Sequence, residues 1–185
     1  AAHLTDLITV MQQGAHDLGL AVDPDVDRLV IIDERGIPWG EEYTLVAAAD
    51  YVLRHTPGHT VTNLSSSDAL RDITKQHGEQ HTSTPVGELH VVARMKATQA
   101  GIGGEGNGGV IYPALHYGRD ALVGIALILS HLAGVRQTAS SLRASYPHYV
   151  MVKQKLALTP TLDLAAIMTH LQKQFNNYPI HTADG

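Results

Sequence analysis

The chain has 185 residues, with 13 Lys and Arg against 18 Asp and Glu, so its net charge at neutral pH is −5. An acidic chain without a run of Lys and Arg lacks the surface that nucleic acid needs, and no apolar stretch reaches membrane length. We therefore expect no nucleic-acid and no membrane partner. The absence of cysteine excludes disulfides, thiolate metal sites and cysteine nucleophiles. No signal sequence opens the chain, so we expect a cytoplasmic protein.

Hydrophobic periodicity and turn residues predict the elements in chain order. The predicted helices lie at residues 3–17, 41–54, 67–76, 87–99 and 118–133. The predicted strands lie at residues 18–22, 29–32, 60–64 and 81–84. Strands that alternate with helices predict an α/β fold, with a mixed, mostly parallel sheet covered by helices.

The last part of the chain has a different character. Residues 136–149 are polar and predict a linker that includes one turn of helix. Residues 149–158 alternate as an edge strand does, and residues 163–175 predict an amphipathic helix. A lone strand and helix cannot form a domain, and the hairpin near the start of the chain needs a larger sheet to join. We therefore expect the chain to be a piece of a longer protein.

An acidic loop lies between the first two predicted strands, at residues 23–28, with the sequence Asp-Pro-Asp-Val-Asp-Arg. An extended backbone would point the carboxylates of Asp23, Asp25 and Asp27 to one side. Oxygen-only ligands select a hard cation such as Mg²⁺ or Ca²⁺. Arg28 adds a forked guanidinium that suits a phosphate. We favour a Mg²⁺ site for phosphoryl chemistry.

Two other interpretations of this loop compete. One is a solvated acidic turn without a ligand. The other is an EF-hand, because Glu34 falls at loop position 12 behind the three aspartates. The EF-hand match fails at position 6, where Arg28 replaces the glycine of the sharp turn. The flanking segments also have the pattern of strands, whereas an EF-hand needs a helix on each side.

A glycine-rich stretch at residues 103–109, Gly-Gly-Glu-Gly-Asn-Gly-Gly, is the second candidate site. It matches the dinucleotide fingerprint G-x-G-x-x-G, but Pro113 follows and no helix begins there to hold a pyrophosphate. Dense glycines let backbone approach a ligand and leave Glu105 and Asn107 exposed on a loop. A carboxylate and an amide two residues apart suit adjacent sugar hydroxyls. The alternative is a flexible surface loop.

Together these stretches resemble the α-D-phosphohexomutase family of phosphoglucomutases, phosphomannomutases and phosphoglucosamine mutases. Residues 23–28 are similar to the family's D-x-D-x-D-R metal loop, and residues 104–109 to its G-E-x-S/N-G sugar-binding loop. Residues 84–88, Thr-Pro-Val-Gly-Glu, resemble its T-x-V-G segment, and residues 117–120, Tyr-Gly-Arg-Asp, the start of a helix. The order and separation of the motifs also agree, over essentially the whole chain.

The resemblance implies a four-domain enzyme of which this chain holds the middle. Residues 1–38 would end the second domain and carry the metal loop, residues 39–148 would be the third domain, and residues 149–185 would begin the fourth. In such an enzyme a phosphoserine, absent from this chain, exchanges its phosphoryl group with a hexose phosphate. Hexose 1-phosphate and 6-phosphate are interconverted in this way through a bisphosphorylated intermediate.

The resemblance also implies roles for the site residues and their partners. Mg²⁺ is the implied cofactor, and its implied ligands are Asp23, Asp25 and Asp27. Arg28 would be the catalytic residue that steadies the phosphoryl group. The implied substrate-binding residues are Gly104, Glu105, Gly106 and Asn107. The partners would be a phosphorylated hexose and the phosphoserine and phosphate-binding domains of the same enzyme.

Three details qualify the resemblance. The serines at 65–67 do not replace the missing phosphoserine, because Ser67 is expected to cap a helix. Gly109 stands where several family members have a histidine, and Glu88 where several have a basic residue, which points toward the phosphoglucosamine mutase branch. The alternative from another class is a non-catalytic Ca²⁺- or Mg²⁺- and sugar-binding module, which would not need Arg28 beside the acidic loop.

Overall fold

The computed structural model describes residues 4–152, 163–178 and 180. They divide into two compact units, with the division between Tyr149 and Val150. The first unit contains the helices α1 Thr5–Gln12, α2 Glu42–His55, α3 Ala69–Gln76, α4 Glu88–Thr98, α5 Ala121–Val135 and α6 Ala139–Ala144. Its strands are β1 Leu18–Val22, β2 Leu29–Asp33, β3 Thr60–Asn63, β4 His81–Thr84, β5 Ile102–Glu105 and β6 Gly109–Ile111.

Four strands form the main sheet in the order β4-β3-β5-β6. Strand β3 pairs in parallel with β4, where Thr60 lies opposite His81, and with β5, where Thr60 lies opposite Ile102. Strand β6 returns antiparallel to β5, with Gly109 opposite Glu105. This arrangement confirms the predicted α/β fold with a mixed, mostly parallel sheet.

Helices cover both faces of this sheet. Helix α2 is apolar along consecutive positions, and residues 45–49 are all buried because the helix lies between the sheet and α5. Helices α3 and α5 share that core, whereas α4 packs Val91 and Met95 against Val61 on the opposite face. Burial of each large aliphatic side chain contributes about 1.5–3 kcal/mol, so the two clusters hold the three layers together.

Strands β1 and β2 form a separate antiparallel hairpin, with Val22 opposite Leu29 at the end that carries the acidic loop. The predicted turn follows β2 directly, and in it the Gly36 N–H donates to the carbonyl of Asp33 at 2.9 Å. The hairpin is bonded to the rest of the unit, because the Leu29 N–H donates to the carbonyl of Gly108 at 3.1 Å. The acidic loop is thereby held beside the glycine-rich stretch.

The segment predicted as a linker at residues 136–149 contains a short helix, and the prediction missed that this helix packs into the core. Residues 139–144 form α6, whose first turn is capped by the Thr138 hydroxyl, which accepts from the Ser141 N–H at 3.2 Å. Ala139, Leu142 and Tyr146 are buried in the main core. Apolar side chains spaced three and four residues apart are enough to bury one face of a short helix, although the other positions are polar.

Two further predictions differ in detail from the structure. The helix expected from residue 67 begins at Ala69, and the Ser67 hydroxyl accepts from the Ala69 N–H at 3.3 Å just outside it. The glycine-rich stretch is not a loop but the β5–β6 hairpin, with a turn at 106–108. Glycine-rich strands escape hydrophobic periodicity because they carry few side chains.

The second unit contains the predicted amphipathic helix, α7 Leu164–Gln174. Asp163 caps it by accepting from the Ala166 N–H at 3.0 Å. The edge strand predicted at 149–158 is not formed over residues 149–152, and its remainder lies outside the described residues. In the portion of the chain that the structure describes, no helix is both long and apolar enough to span a membrane.

Candidate functional site

The acidic loop turns sharply instead of running extended. The Val26 N–H donates to the carbonyl of Asp23 at 3.1 Å, and Val26 has a φ of 59°, a value that a β-branched residue rarely adopts. The turn brings Asp23 and Asp27 together and leaves Asp25 exposed, so the expected one-sided row of three carboxylates is wrong. Within residues 4–152, 163–178 and 180, no three His, Cys, Asp or Glu side chains converge as a ready metal site.

Asp23 holds the loop in shape. One carboxylate oxygen accepts from the backbone N–H groups of Asp27 and Arg28, each at 3.1 Å, and the other accepts from Arg28 Nε at 2.6 Å. Burial alone would raise the pKa of Asp23, but these hydrogen bonds hold it well below its usual range. Arg28 is half-exposed and can therefore meet an anion from outside while it stays paired with Asp23.

Asp27 is the carboxylate with unused capacity. Its Oδ2 forms an ion pair with a guanidinium nitrogen of Arg119 at 2.5 Å, whereas its Oδ1 is buried without a hydrogen bond and lies 3.4 Å from Arg28 Nε. Burial and the neighbouring Asp23 both raise the pKa of Asp27. A hard cation would bind the oxygen that accepts no hydrogen bond and relieve the repulsion between the two carboxylates. The residues present therefore fit Mg²⁺, with Asp23 and Asp27 as the paired donors.

Glu105 is buried, with 6% exposure, and the prediction that it stands exposed on a loop is wrong. One of its oxygens accepts from the Asn63 amide at 2.7 Å. The other accepts from Arg119 at 2.7 Å and from the Asn107 amide at 3.3 Å. The hairpin turns Glu105 inward because these three donors compensate its charge.

The other predicted sugar-binding residues lie at the turn of the same hairpin. Asn107 is half-buried, and the oxygen of its side-chain amide accepts from the Gly109 N–H at 3.2 Å. Gly104 is buried against the carbonyl of Gly109, in a space that a Cβ would fill. Gly106 is buried against Ser66, whose hydroxyl would lie 2.9 Å from an added Cβ. The glycines thus allow close packing of the hairpin, and Asn107 is the polar side chain at its edge.

Arg119 joins the two motifs, and sequence reasoning missed its role. Its guanidinium forms an ion pair with Asp27 at 2.5 Å and donates a hydrogen bond to Glu105 at 2.7 Å. Its Nε lies 3.3 Å from a carboxylate oxygen of Glu88, and its backbone N–H donates to the other oxygen at 3.2 Å. The one available signal was an arginine directly before the N-cap of a helix, and it says nothing about these distant partners.

The start of α5 fixes the position of Arg119. Asp120 caps the helix by accepting from the N–H groups of Leu122 and Val123, at 2.8 and 3.0 Å. The Asp120 N–H donates to the carbonyl of Val110 in β6 at 2.8 Å. The Ala121 N–H donates to the carbonyl of Val26 in the acidic loop at 3.0 Å. One helix terminus therefore bonds to both motifs.

The assembled site is negative. It contains the carboxylates of Asp23, Asp25, Asp27, Glu88 and Glu105 and the guanidinium groups of Arg28 and Arg119. Excess carboxylate suits a divalent cation, and a cation beside a half-exposed arginine suits a phosphoryl group. The arrangement can bind and neutralise a phosphate beside a hairpin that offers hydrogen-bonding groups to a second ligand.

Comparison with known proteins identifies the family. The family description phosphoglucomutase/phosphomannomutase, alpha/beta/alpha domain III, matches residues 40–149. The chain belongs to the phosphoglucomutase/phosphomannomutase family. A phosphoglucomutase/phosphomannomutase of Thermococcus kodakarensis is 34% identical over 99% of this chain and 40% of its own length. A probable phosphoglucosamine mutase of Methanopyrus kandleri is 28% identical over 99% of this chain and 41% of its own length.

Solved structures agree with this assignment. A family member from Burkholderia thailandensis matches with a TM-score of 0.73 and 26% identity, over 80% of this chain and 33% of its own. An N-acetylphosphoglucosamine mutase of Aspergillus fumigatus, crystallised with GlcNAc-6P and magnesium, shares the fold at a TM-score of 0.54 and 16% identity, over 69% of this chain and 32% of its own. The chain spans about two fifths of the length of the curated relatives it matches. None of these proteins supports the non-catalytic binding module.

Proposed function

We propose that this chain is the central part of a Mg²⁺-dependent phosphohexomutase that interconverts hexose 1-phosphate and hexose 6-phosphate. The observation that carries the proposal is the single guanidinium of Arg119, which contacts both Asp27 and Glu105. The metal loop and the sugar-binding hairpin are therefore parts of one site. A cation site next to a sugar site is the arrangement that phosphoryl transfer to a sugar hydroxyl requires.

The acidic loop is the part that would handle the phosphoryl group. Asp23 and Asp27 would hold Mg²⁺, with Asp25 as the third ligand that the resemblance implies. The bound cation would supply charge neutralisation at the phosphoryl oxygens. Arg28 is half-exposed at the rim of the loop and would orient the same group by donating to its oxygens.

The hairpin is the part that would bind the hexose. Asn107 lies at its turn with an amide that can both donate and accept. Glu105 would accept from a hydroxyl, but its oxygens are already occupied by Asn63, Asn107 and Arg119. A sugar can therefore reach Glu105 only by replacing one of these donors. Gly104 and Gly106 keep the backbone compact enough to present the turn.

The domain assignment is part of the same proposal. Residues 1–38 would close the second domain, residues 39–148 would form the third, and residues 149–185 would begin the fourth. The family match over 40–149 and the division after Tyr149 support these limits. The phosphoserine and the grip on the distal phosphate would come from the other domains, in a cytoplasmic enzyme.

Activity of the protein that contains this chain together with the other domains of its relatives tests the proposal. Glucose-, mannose- and glucosamine-phosphates are supplied as substrates with and without Mg²⁺. We expect Mg²⁺-dependent isomerisation of at least one of them, and a loss of kcat of about 1,000-fold in Asp27→Asn. Asp68→Asn, an exposed carboxylate outside the site, is the matched control and should retain activity. No isomerisation of any of the three sugars would overturn the proposal.

A further inference from the structure

Helix α5 carries no charged side chain of Asp, Glu, Lys or Arg along its whole length, residues 121–135. Its one histidine, His131, is buried. One face of the helix, which includes Ala121, Leu127 and Ile128, packs into the main core. A helix at the surface of a globular protein normally carries charged and polar side chains on its other face. The outer face of α5 departs from that pattern.

The outer face carries an apolar stripe, which consists of Leu122, Ala126, Leu129 and Ala133. All four residues are exposed, and the exposed fractions of the two leucines are 64% and 47%. Spacings of four, three and four residues place these side chains in one row along the helix, as positions a and d lie in a coiled coil. Burial of the row is favourable because it removes apolar surface from water. The stripe therefore has the pattern of a helix-packing surface.

Helix α7 in the second unit also exposes an apolar face, with Leu164 and Leu171 exposed by 52% and 40%. The two helices differ in what else they bury. None of the described residues of α7 is buried, so its apolar face is the one with which it would pack into its own domain. Helix α5 already packs another face into the core of the first unit. Its stripe is additional to the face that folds it, which favours a separate partner.

The stripe is complementary to itself when two copies of α5 run antiparallel. Large and small side chains alternate along it, and a two-fold axis between residues 127 and 128 places each leucine opposite an alanine. Leu122 would lie opposite Ala133 of a second copy, and Leu129 opposite Ala126. Each leucine can then fill the space beside a small residue, as a knob fills a hole. A parallel pair would instead place leucine against leucine and alanine against alanine.

The charges at the two ends of α5 favour the same orientation. Asp120 is the N-cap, with its side chain 23% exposed, and Arg136 is the exposed C-cap. In an antiparallel pair each Arg136 would lie beside Asp120 of the other copy, so this attraction occurs twice. The helix dipoles would also be opposed, with each N-terminus beside a C-terminus. Shape and charge therefore select the same partner in the same direction.

We propose that α5 is a dimerisation surface, on which the stripe of one chain packs antiparallel against the stripe of a second copy. The seam covers about three turns of helix, which is at the small end of specific protein interfaces, so we expect reversible association with a Kd of about 10–100 µM. The inference goes beyond the proposed function and does not depend on it, because the stripe uses none of residues 23–28 or 103–109.

Sedimentation equilibrium of the 185-residue chain, at concentrations that bracket this Kd, tests the association. The wild type should show a monomer–dimer equilibrium. Leu129→Lys introduces a charge at two places in a two-fold seam and should weaken dimerisation by about thirtyfold or more. Leu171→Lys, at a leucine of α7 with a similar exposed fraction, is the matched control and should leave the Kd within about twofold. Circular dichroism checks that both variants keep the helical content of the wild type.

Arg136→Glu tests the contact between the helix ends. It would place a carboxylate beside Asp120 of the second copy, so like charges would meet where opposite charges met before. We expect dimerisation to weaken by about three- to tenfold at low salt and by less at high salt.

Cysteine cross-linking tests the antiparallel direction, since the chain has no cysteine of its own. In the double variant Leu122→Cys/Ala133→Cys, each new thiol would face the other thiol on the second copy, and mild oxidation should give covalent dimers. Neither single variant should do so, because like positions lie about 16 Å apart along an antiparallel pair. The two cysteines within one chain are separated by the same length of helix, which is too far for a disulfide.

Four outcomes would overturn the proposal. The wild type could remain a monomer at every concentration, or Leu171→Lys rather than Leu129→Lys could abolish association, which would place the contact on α7. Cross-linking by Leu122→Cys alone would reject the antiparallel pair. In the fourth outcome, the double variant cross-links as the 185-residue chain but not in the protein that also contains the other domains of its relatives. That result would show that one of those domains covers the stripe.

Discussion

Two clusters of charged side chains in the first unit differ in how completely their polar atoms are paired. At the first, Oδ1 of Asp50 accepts hydrogen bonds from Arg54 and His77. Oδ2 of Asp50 accepts from Arg54, His131 and Tyr146. At the second, Oδ1 of Asp27 and Nε of Arg119 are buried and make no hydrogen bond, although they lie in ion-pair contact with Arg28 at 3.4 Å and with Glu88 at 3.3 Å. The first cluster is fully hydrogen-bonded, and the second is not.

We propose that this difference distinguishes a cluster that stabilises the fold from one that binds a ligand. Burial would raise the pKa of Asp50, but the hydrogen bonds from His131, Arg54 and His77 outweigh it and hold that pKa well below its usual range. A fully paired buried network rigidifies a core, whereas a partly paired one stores a cost that a ligand can remove. Charge density alone does not separate the two.

Replacement of Asp50 should have the largest effect on stability. Asp50→Asn removes the charge that pairs with Arg54 and one hydrogen-bond acceptor of a buried network. We therefore expect the free energy of unfolding to fall by about 3–4 kcal/mol. Chemical denaturation measures this loss. Mg²⁺ affinity, measured in the folded variant, should not change. The exposed Asp68→Asn is the control, with a change below about 0.5 kcal/mol. A small loss in Asp50→Asn would show that the network contributes little.

His81 extends the comparison to a paired group that titrates. Burial, with the neighbouring His59, lowers the pKa of His81 to about 4 from an ordinary value of 6.5, and its Nδ1 contacts the Thr60 hydroxyl at 2.9 Å. As the pH falls, this histidine is protonated in the unfolded chain before it is protonated in the folded chain. The free energy of unfolding is therefore at its full value above pH 6.5, decreases between pH 6.5 and pH 4, and is constant below that range. We expect a loss of about 2–3 kcal/mol over that window.

Denaturation at pH 7 and pH 4 in His81→Gln checks this assignment. The variant should lose most of the pH dependence that His81 contributes, whereas His90→Gln, at an exposed histidine, should keep it. An unchanged slope in His81→Gln would place the acid sensitivity at another group.

Val26 allows the strain in the backbone of the acidic loop to be measured. Its φ of 59° strains a β-branched residue in the acidic loop. Asn tolerates this conformation better, so Val26→Asn should stabilise the chain by about 0.5–1 kcal/mol in thermal or chemical denaturation. The same replacement at Val30 should instead destabilise the chain, because Val30 lies inside β2 and would lose packing. Destabilisation by Val26→Asn would show that the side chain contributes more than the strain costs.

Local patterns in the sequence were sufficient for most of the fold. Periodicity and turn residues placed the elements from β1 to α5, apart from β5 and β6, within about three residues, because each of these signals lies inside its own segment. The core packing of α6 was missed since its polar residues outnumber Leu142 and Ala139. Its burial depends on a surface that α2 and β2 supply from elsewhere in the chain.

The candidate site was predictable in composition but not in geometry. The motifs identified the acidic loop and the hairpin, yet the burial of Glu105 depends on donors from Asn63 and Arg119 that are distant in sequence. The placement of Asp27 beside Arg119 depends in turn on the sharp turn at Val26. Contacts between distant segments carry no local signal, so neither could be read from spacing.

The most direct test of the account is an NMR titration of the 185-residue chain with Mg²⁺, carried out on the wild type, Asp27→Asn and Asp50→Asn together. We predict that Mg²⁺ shifts the amides of residues 23–28 in the wild type and that Asp27→Asn weakens this binding by about tenfold or more, with little loss of stability. Asp50→Asn should bind as the wild type but unfold more easily. Equal Mg²⁺ binding by the wild type and Asp27→Asn would contradict the claim that the incomplete cluster is the metal site.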